Sequence, residues 1–303
     1  MKIGLLDIDG HNFPNLALMK VSAFHKSQGD SVEWVNHFFE YDKVYRSKIF
    51  TFSSDNNTSV LSPITERGGT GYNIATKLPT EIENFQSPDY SIYPQFKYSI
   101  QLFSRGCIRN CAFCVVRKKE GNIRSIEPME LNPNGKHIEI LDNNFFANPK
   151  WEKAVDWLVN ANQPVNFHGV DIRIMNDKQA YALGKLRIKR SLHIAWDNPN
   201  DDITDRLNVL TKHIKPSKII CYVLVGFNST MMQGYQRVTK LKELGIMPFV
   251  QPYRDFDNSR IPTQYEKDFA SWVNKRERFK SFDFWDFKPR KNFKCDQYKN
   301  LNT

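Results

Sequence analysis

Three of the chain's five cysteines fall within eight residues, in Ser104-Arg105-Gly106-Cys107-Ile108-Arg109-Asn110-Cys111-Ala112-Phe113-Cys114. The spacing is C-x3-C-x2-C. Three thiolates so close can wrap one soft-metal centre, and thiolate sulfur suits zinc or iron–sulfur. A structural zinc site wants four protein ligands. The next histidine downstream is His137 and the next cysteine Cys221, neither near in sequence. Three ligands without a fourth point to a cubane with one iron left for a ligand that is not protein. A zinc knuckle, or core cysteines that meet by chance, is the plainer alternative. Cys221 stands in an apolar run and reads as core, and Cys295 has no neighbouring cysteine.

The elements that must position this loop can be read from hydrophobic patterning. Lys2 to Leu6 reads as a buried strand, a helix starts near Pro14 with Leu16, Met19 and Ala23 on one face, and Gly29-Asp30 ends it. Ser31 to Val35 reads as a second strand, so the chain opens as strand–helix–strand. Short apolar runs follow at Val44-Tyr45 and Ile49 to Phe52. The Asn-, Ser-, Thr-, Gly- and Pro-rich stretch from Ser54 to Pro94 reads as loops and linker. Beyond it, strands are expected at Tyr98–Phe103, His137–Leu141, Val165–Phe167, Leu192–Trp196, Lys218–Val225 and Met247–Val250. Helices fit between them, one marked by Trp151, Ala154, Val155 and Leu158, another by Met231, Tyr235, Val238 and Leu241. Such alternation means parallel sheet with crossover helices, and six units are too few for a closed eight-fold barrel. The expected fold is therefore α/β: a partial, TIM-like (β/α)6 barrel over 91–260, preceded by a small Rossmann-like α/β domain and linker over 1–90. A basic, aromatic extension over 261–303 follows.

The cysteine segment resembles the signature of the radical S-adenosylmethionine (radical SAM) superfamily, C-x3-C-x-aromatic-C on the loop after the first barrel strand, with Phe113 as the aromatic. The resemblance implies a [4Fe–4S] cluster on Cys107, Cys111 and Cys114, with SAM on the open iron. It also implies reductive cleavage of SAM to methionine and a 5′-deoxyadenosyl radical that abstracts a substrate hydrogen. The remaining contacts are then expected at the carboxy-terminal ends of the strands. In family terms Asp142, Asn143 and Asn144 match a short polar motif that holds the SAM amino group; an Asx turn is the competing account. Arg173 can fork onto the SAM carboxylate or serve in a surface ion pair. Asp197 can meet the ribose hydroxyls or cap a helix. Gly226 is similar to the glycine that lets adenine lie on backbone, or is a turn residue. Tyr253 can stack on adenine or face substrate. His168 and His193 stand near strand ends, where a satisfied core histidine is the commoner case.

The amino-terminal module resembles a degenerate cobalamin-binding domain. The lower-axial motif D-x-H-x2-G has Asp9 and His11 here, but Pro14 replaces the glycine that lets backbone pass close to a corrin. Cobalamin is thus allowed by the resemblance but not favoured by the residues, and a glycine patch, Gly68-Gly69-Thr70-Gly71, faces a nucleotide tail or is plain loop. A cobalamin-dependent radical SAM methyltransferase is one alternative reading. Methylthiotransferases carry three further cysteines ahead of the barrel, and this chain has none before Cys107.

Lysine and arginine number 43 against 33 acids, a net charge of +10, which favours a polyanionic partner without proving one. Part of it surrounds the cysteine loop, where Arg105, Arg109, Arg117, Lys118 and Lys119 can guide a reducing partner such as flavodoxin or ferredoxin. Another part lies in Lys275 to Lys294, with eight basic residues against three acids, interleaved with Phe279, Phe282, Phe284, Trp285, Phe287 and Phe293. That pattern suits stacking on bases, or, as the favoured reading, an aromatic flap over the barrel with basic stems in solvent. The start is too short in apolar residues for a signal peptide, and no membrane partner is expected; the expected location is cytoplasmic. The expected function is a radical SAM enzyme acting on an unidentified substrate, a polyanionic one being open, with a non-catalytic Fe–S or zinc protein associated with nucleic acid as the other class of answer.

Overall fold

The computed structural model describes residues 1–10, 12–55, 59–255 and 259–301. The chain divides into two compact units, one made of residues 1–106 and 115–139, the other of residues 107–114 and 140–303.

The first unit is built on a four-stranded parallel sheet in the order β2-β1-β3-β4, with β1 at Lys2–Asp7, β2 at Ser31–Trp34, β3 at Lys43–Ser47 and β4 at Thr65–Gly68. Ile3 and Leu5 are fully buried and Gly4 between them has no room for a side chain, since a Cβ there would stand 2.9 Å from Val35 Cγ2. Helix α1 (Leu16–Ser27) crosses from β1 to β2, and Asn15 Oδ1 accepts from the Leu18 N–H at 3.3 Å to cap it. Its buried residues include Leu18, Met19, Val21 and Ser22, so the face against the sheet is rotated from the expected Leu16–Ala23 line. Leu18 and Val21 pack with Ile3, Leu5, Tyr45 and Ile82, the last from the short helix α2 (Thr80–Glu83).

The expectation of loops throughout 54–94 is corrected here. β4 and α2 both lie in that stretch. Thr65, Glu66 and Arg67 of β4 are exposed, and an edge strand with polar residues on both faces carries no alternation to read. Conversely, Ile49, Phe50 and Phe52 form no strand and are 43, 50 and 68% exposed.

After β5 (Ser99–Gln101), the strands β6 (Ser104–Arg105) and β7 (Arg124–Ser125) pair antiparallel, and α3 (Val116–Glu120) lies between them in sequence. The division of the chain falls inside β8 (Ile138–Ile140), between residues 139 and 140.

The second unit repeats strand and helix: α4 (Trp151–Ala161), β9 (Val165–Phe167), α5 (Asp177–Gly184), β10 (Leu192–Ala195), α6 (Thr204–Thr211), β11 (Ile219–Val225), α7 (Met231–Glu243) and β12 (Met247–Pro252). β10, β11 and β12 are hydrogen-bonded in parallel and in chain order, and a parallel bridge between Val170 and Ile194 extends the array towards β9. The class is mixed α/β with parallel sheets, and no closed barrel forms among the described residues. Capping boxes at Asn176–Gln179 and Thr230–Gln233 fix the starts of α5 and α7.

Helices α8 (Gln264–Val273) and α9 (Arg276–Ser281) belong to the same unit. Phe279, Phe284 and Phe287 are buried, with Phe284 5.1 Å from Phe269 and Phe279 5.0 Å from Trp272. Tyr298 donates to Asp268 Oδ2 at 2.5 Å, and Arg290 pairs with the same oxygen. Phe279, Phe284 and Phe287 are thus committed to packing, whereas Phe282 is exposed. No helix among the described residues is long and apolar enough to cross a membrane.

Candidate metal centre

The three loop cysteines form no disulfide among the described residues and are half-buried, whereas Cys221 and Cys295 are fully buried. Burial pushes the Cys295 thiol up to about 12 and the Cys221 thiol well above its ordinary value, so neither is a ready thiolate. Within the loop, the Cys114 N–H donates to Cys111 O at 2.9 Å and the Arg109 N–H to Cys107 Sγ at 3.3 Å. The chain enters the loop through Gly106, whose φ of +82° suits glycine. A Cβ at Gly106 would also meet Asn122 O at 2.3 Å. Glu120 accepts from the Gly106 N–H at 2.8 Å and pairs with Arg105 at 3.1 Å, fixing that entry.

Two side chains tie the loop to the strand ends. Arg109 Nε stands 3.1 Å from Asp171 Oδ2. On the other flank Phe113 meets Phe227 edge-on at 5.3 Å, and Phe227 meets Tyr253 at 4.8 Å. Cys111 lies between Arg109 and Phe113 in sequence, so the anchors bracket it.

Asp171 gathers the polar side of the site. Arg173 grips it with Nε at 2.7 Å from Oδ1 and a second nitrogen at 3.1 Å from Oδ2, and reaches Asp201 at 3.5 Å. Asn144 Nδ2 donates to the same carboxylate at 3.3 Å. Burial works against the charge of Asp171, but the hydrogen bonds and charges of Arg173 and then Arg109 hold its pKa below the ordinary value. Burial likewise opposes the Arg173 cation; Asp171 outweighs it, with Cys111 and Asp201 adding to the effect, and the guanidinium stays charged. The fork expected to meet a carboxylate ligand is thus already closed on a carboxylate of the chain.

The other expected residues fall as follows. Asp142 and Asn144 are buried and Asn143 is exposed. Asn144 Oδ1 is buried without a hydrogen-bond partner, which leaves an acceptor for a donor group. Asp197, at the end of β10, is half-buried, and burial raises its pKa against the opposing pull of Arg173 and Arg237. Gly226 has φ +82°, and the space beside it is taken by Glu266 and Arg260, 2.3 and 2.5 Å from where a Cβ would lie. Those two form an ion pair of 2.7 Å.

Two residues that sequence reasoning missed hold the strand ends together. Arg237 of α7, 2% exposed, donates to the carbonyls of Trp196 at 2.6 Å, Asp197 at 3.0 Å and Leu224 at 2.9 Å. Desolvation lowers its pKa to about 10. Gly169 faces Asp142 O, which a Cβ would approach to 2.1 Å. A lone Arg on a helix reads as solvent-facing, so only the second has a sequence signal, a glycine at a strand end.

Among the described residues no three His, Cys, Asp or Glu side chains converge into a ready-made metal site. The donor set of the loop is thiol alone, and that chemistry fits an iron–sulfur cluster; the unpartnered Asn144 Oδ1 fits a ligand that brings an ammonium donor. For cobalamin the residues fit less well. Asp9 accepts from the Ile49 and Phe50 N–H groups and from Ser53, so its carboxylate is engaged within the fold; His11 lies outside the described residues. No protein-family profile and no curated protein sequence matches the chain.

Proposed function

We propose that the second unit is the core of a radical SAM enzyme, an incomplete (β/α)6 barrel that carries a [4Fe–4S] cluster on Cys107, Cys111 and Cys114. The observation that carries the reading is a three-thiol loop, without histidine or carboxylate donors, tied by Arg109 to the strand end that bears Asp171, Arg173 and Asn144. When bound, the cluster supplies one electron, received from a reducing partner such as flavodoxin or ferredoxin, to cleave SAM into methionine and a 5′-deoxyadenosyl radical that takes a hydrogen atom from substrate.

The chain's own residues bind and orient. Asn144 Oδ1, with Asp142 beside it, accepts from the SAM amino group, and Asp197 meets the ribose hydroxyls. Phe227 and Tyr253 form an apolar wall for adenine. Arg173 and Arg109 keep Asp171 ionised and supply positive charge beside a SAM carboxylate and an anionic cluster. Since Asp9 is already hydrogen-bonded to the 49–53 loop, simple hydrogen abstraction is preferred to methyl transfer through cobalamin.

The test is anaerobic reconstitution with iron, sulfide, SAM and dithionite. 5′-Deoxyadenosine and methionine are expected in equal amounts. A reconstituted cluster with neither product would overturn the assignment, and a colourless zinc protein would replace it with the non-catalytic alternative.

A further inference from the structure

The first unit contains a cavity of about 310 Å³, lined by its own residues at the carboxy-terminal ends of β3 and β4. That volume lies at the lower end of the range in which proteins hold small molecules. One wall is apolar and comes from Ala17, Leu18 and Val21 of α1 with Leu78. The opposite wall is polar and dominated by cations.

The charges are not balanced inside the cavity. Its three acids are matched: Glu66 pairs with Lys43 at 2.5 Å, and Glu83 and Glu120 both pair with Arg105 at 3.1 Å. Arg46 is matched by Asp55. Arg67, Lys77, Lys119 and Arg124 also line it, and none of them forms an ion pair among the described residues. Lys119 is held by Thr70 Oγ1, and Arg124 by Glu120 O at 2.8 Å. Gly68 and Gly69 bring bare backbone to the same wall, and Gly69, at φ +98°, has no space for a side chain because Lys48 O would be 2.2 Å away.

We propose that this cavity binds a small organic phosphate, its phosphate among Arg67, Lys119, Arg124 and the Gly68-Gly69 turn and its apolar body on Ala17, Leu18 and Val21 of α1. Uncompensated cations around a glycine turn at strand carboxy-termini suit a phosphate. The apolar α1 wall would be left facing water by inorganic phosphate alone, so the ligand must bring a carbon skeleton. Lys119 adds weight: burial lowers its pKa, and a phosphate beside it restores the full ammonium charge.

The experiment is calorimetric titration of the full-length protein with adenosine 5′-monophosphate, ribose 5-phosphate, inorganic phosphate, adenosine and citrate. The two phosphate esters are expected to bind, weakening as salt rises, and the other three to bind at least tenfold more weakly. Arg67→Gln with Lys119→Met should weaken the esters at least tenfold, and Ala17→Phe, which fills the apolar wall, should do the same without touching a charge. A melting temperature close to wild type for Arg67→Gln alone, at an exposed position, guards against misfolding as the cause. Absence of ester binding at millimolar concentration overturns the proposal. So does unchanged binding by the variants, which would place the ester elsewhere, or equal binding of citrate. Hydroxocobalamin that displaces the ester would assign the cavity to a much larger phosphodiester and overturn it too.

Discussion

Arg109, in the middle of the cysteine loop, and Asp171, just after β9, are joined by an ion pair of 3.1 Å in which the carboxylate is 7% exposed and the guanidinium 37%. The cysteine loop is thereby registered against the strand end that bears Asp171, Arg173 and Asn144. Asp171→Asn keeps the shape but leaves Arg109 without its counter-charge and Arg173 with Asp201, at 3.5 Å. It is expected to cost roughly 3 kcal/mol, as for loss of one member of a largely buried pair. Urea denaturation of the protein measures it, and a change under about 0.5 kcal/mol would show the pair to be superficial.

The same carboxylate gives a pH dependence. Its folded pKa is depressed below 3.8, so the unfolded chain takes up its proton first as the solution is acidified. The stabilisation is complete above the ordinary carboxylate range and disappears as pH falls through the folded value. Denaturation midpoints for wild type should therefore drop more steeply below about pH 4 than those of Asp171→Asn. Parallel curves for the two proteins would exclude the linkage.

Asp197 acts with the opposite sign. Burial raises its folded pKa above 3.8, so the unfolded chain loses the proton first and stability declines as pH rises from that value through the folded one. Asp197→Asn should remove this decline and gain stability near neutrality. Loss of stability on that substitution would mean that the ionised carboxylate is paired more strongly than its surroundings indicate.

Arg237 holds three carbonyls from two strand ends and forms no ion pair among the described residues. Arg237→Met leaves those acceptors buried and unpaired, at a cost of about 3 kcal/mol. It should also loosen Asp197, whose backbone it holds, so hydrogen exchange at Trp196 to Asn198 is expected to accelerate. Unaltered exchange there would assign Arg237 to helix packing alone.

Substitution of Cys107, Cys111 or Cys114 by alanine should abolish the visible absorption of the reconstituted protein, whereas Cys221→Ala and Cys295→Ala should retain it. A variant of the loop that keeps full absorption and iron content would remove its cysteine from the ligand set.

The cysteine loop and the strands around it were legible because their signals are local: thiols at fixed spacing, a glycine at a turn, apolar runs of strand length. Leu192–Ala195 and Ile219–Val225 fall within a residue of their expected limits for that reason. β4 was not legible, since Thr65-Glu66-Arg67 is exposed at a sheet edge and its register comes from pairing with β3. The partner of Arg173 was hidden differently. Asp171 is only two residues away, and nothing in a D-x-R spacing says that a 3₁₀ turn (Ile172–Ile174) will fold the guanidinium back onto it. Arg237 looked like any helix cation. Its burial depends on two strand ends that converge on one face of α7, a tertiary fact.

The burial of Cys221 and Cys295 sorts the chain's sulfur by reactivity. A thiol reagent added to the folded protein meets three half-buried groups on one short loop, while the other two wait for unfolding. Thiol oxidation in air is thereby concentrated in a segment of eight residues and, as far as sulfenic acid or disulfide, is reversed by a reductant without refolding the protein.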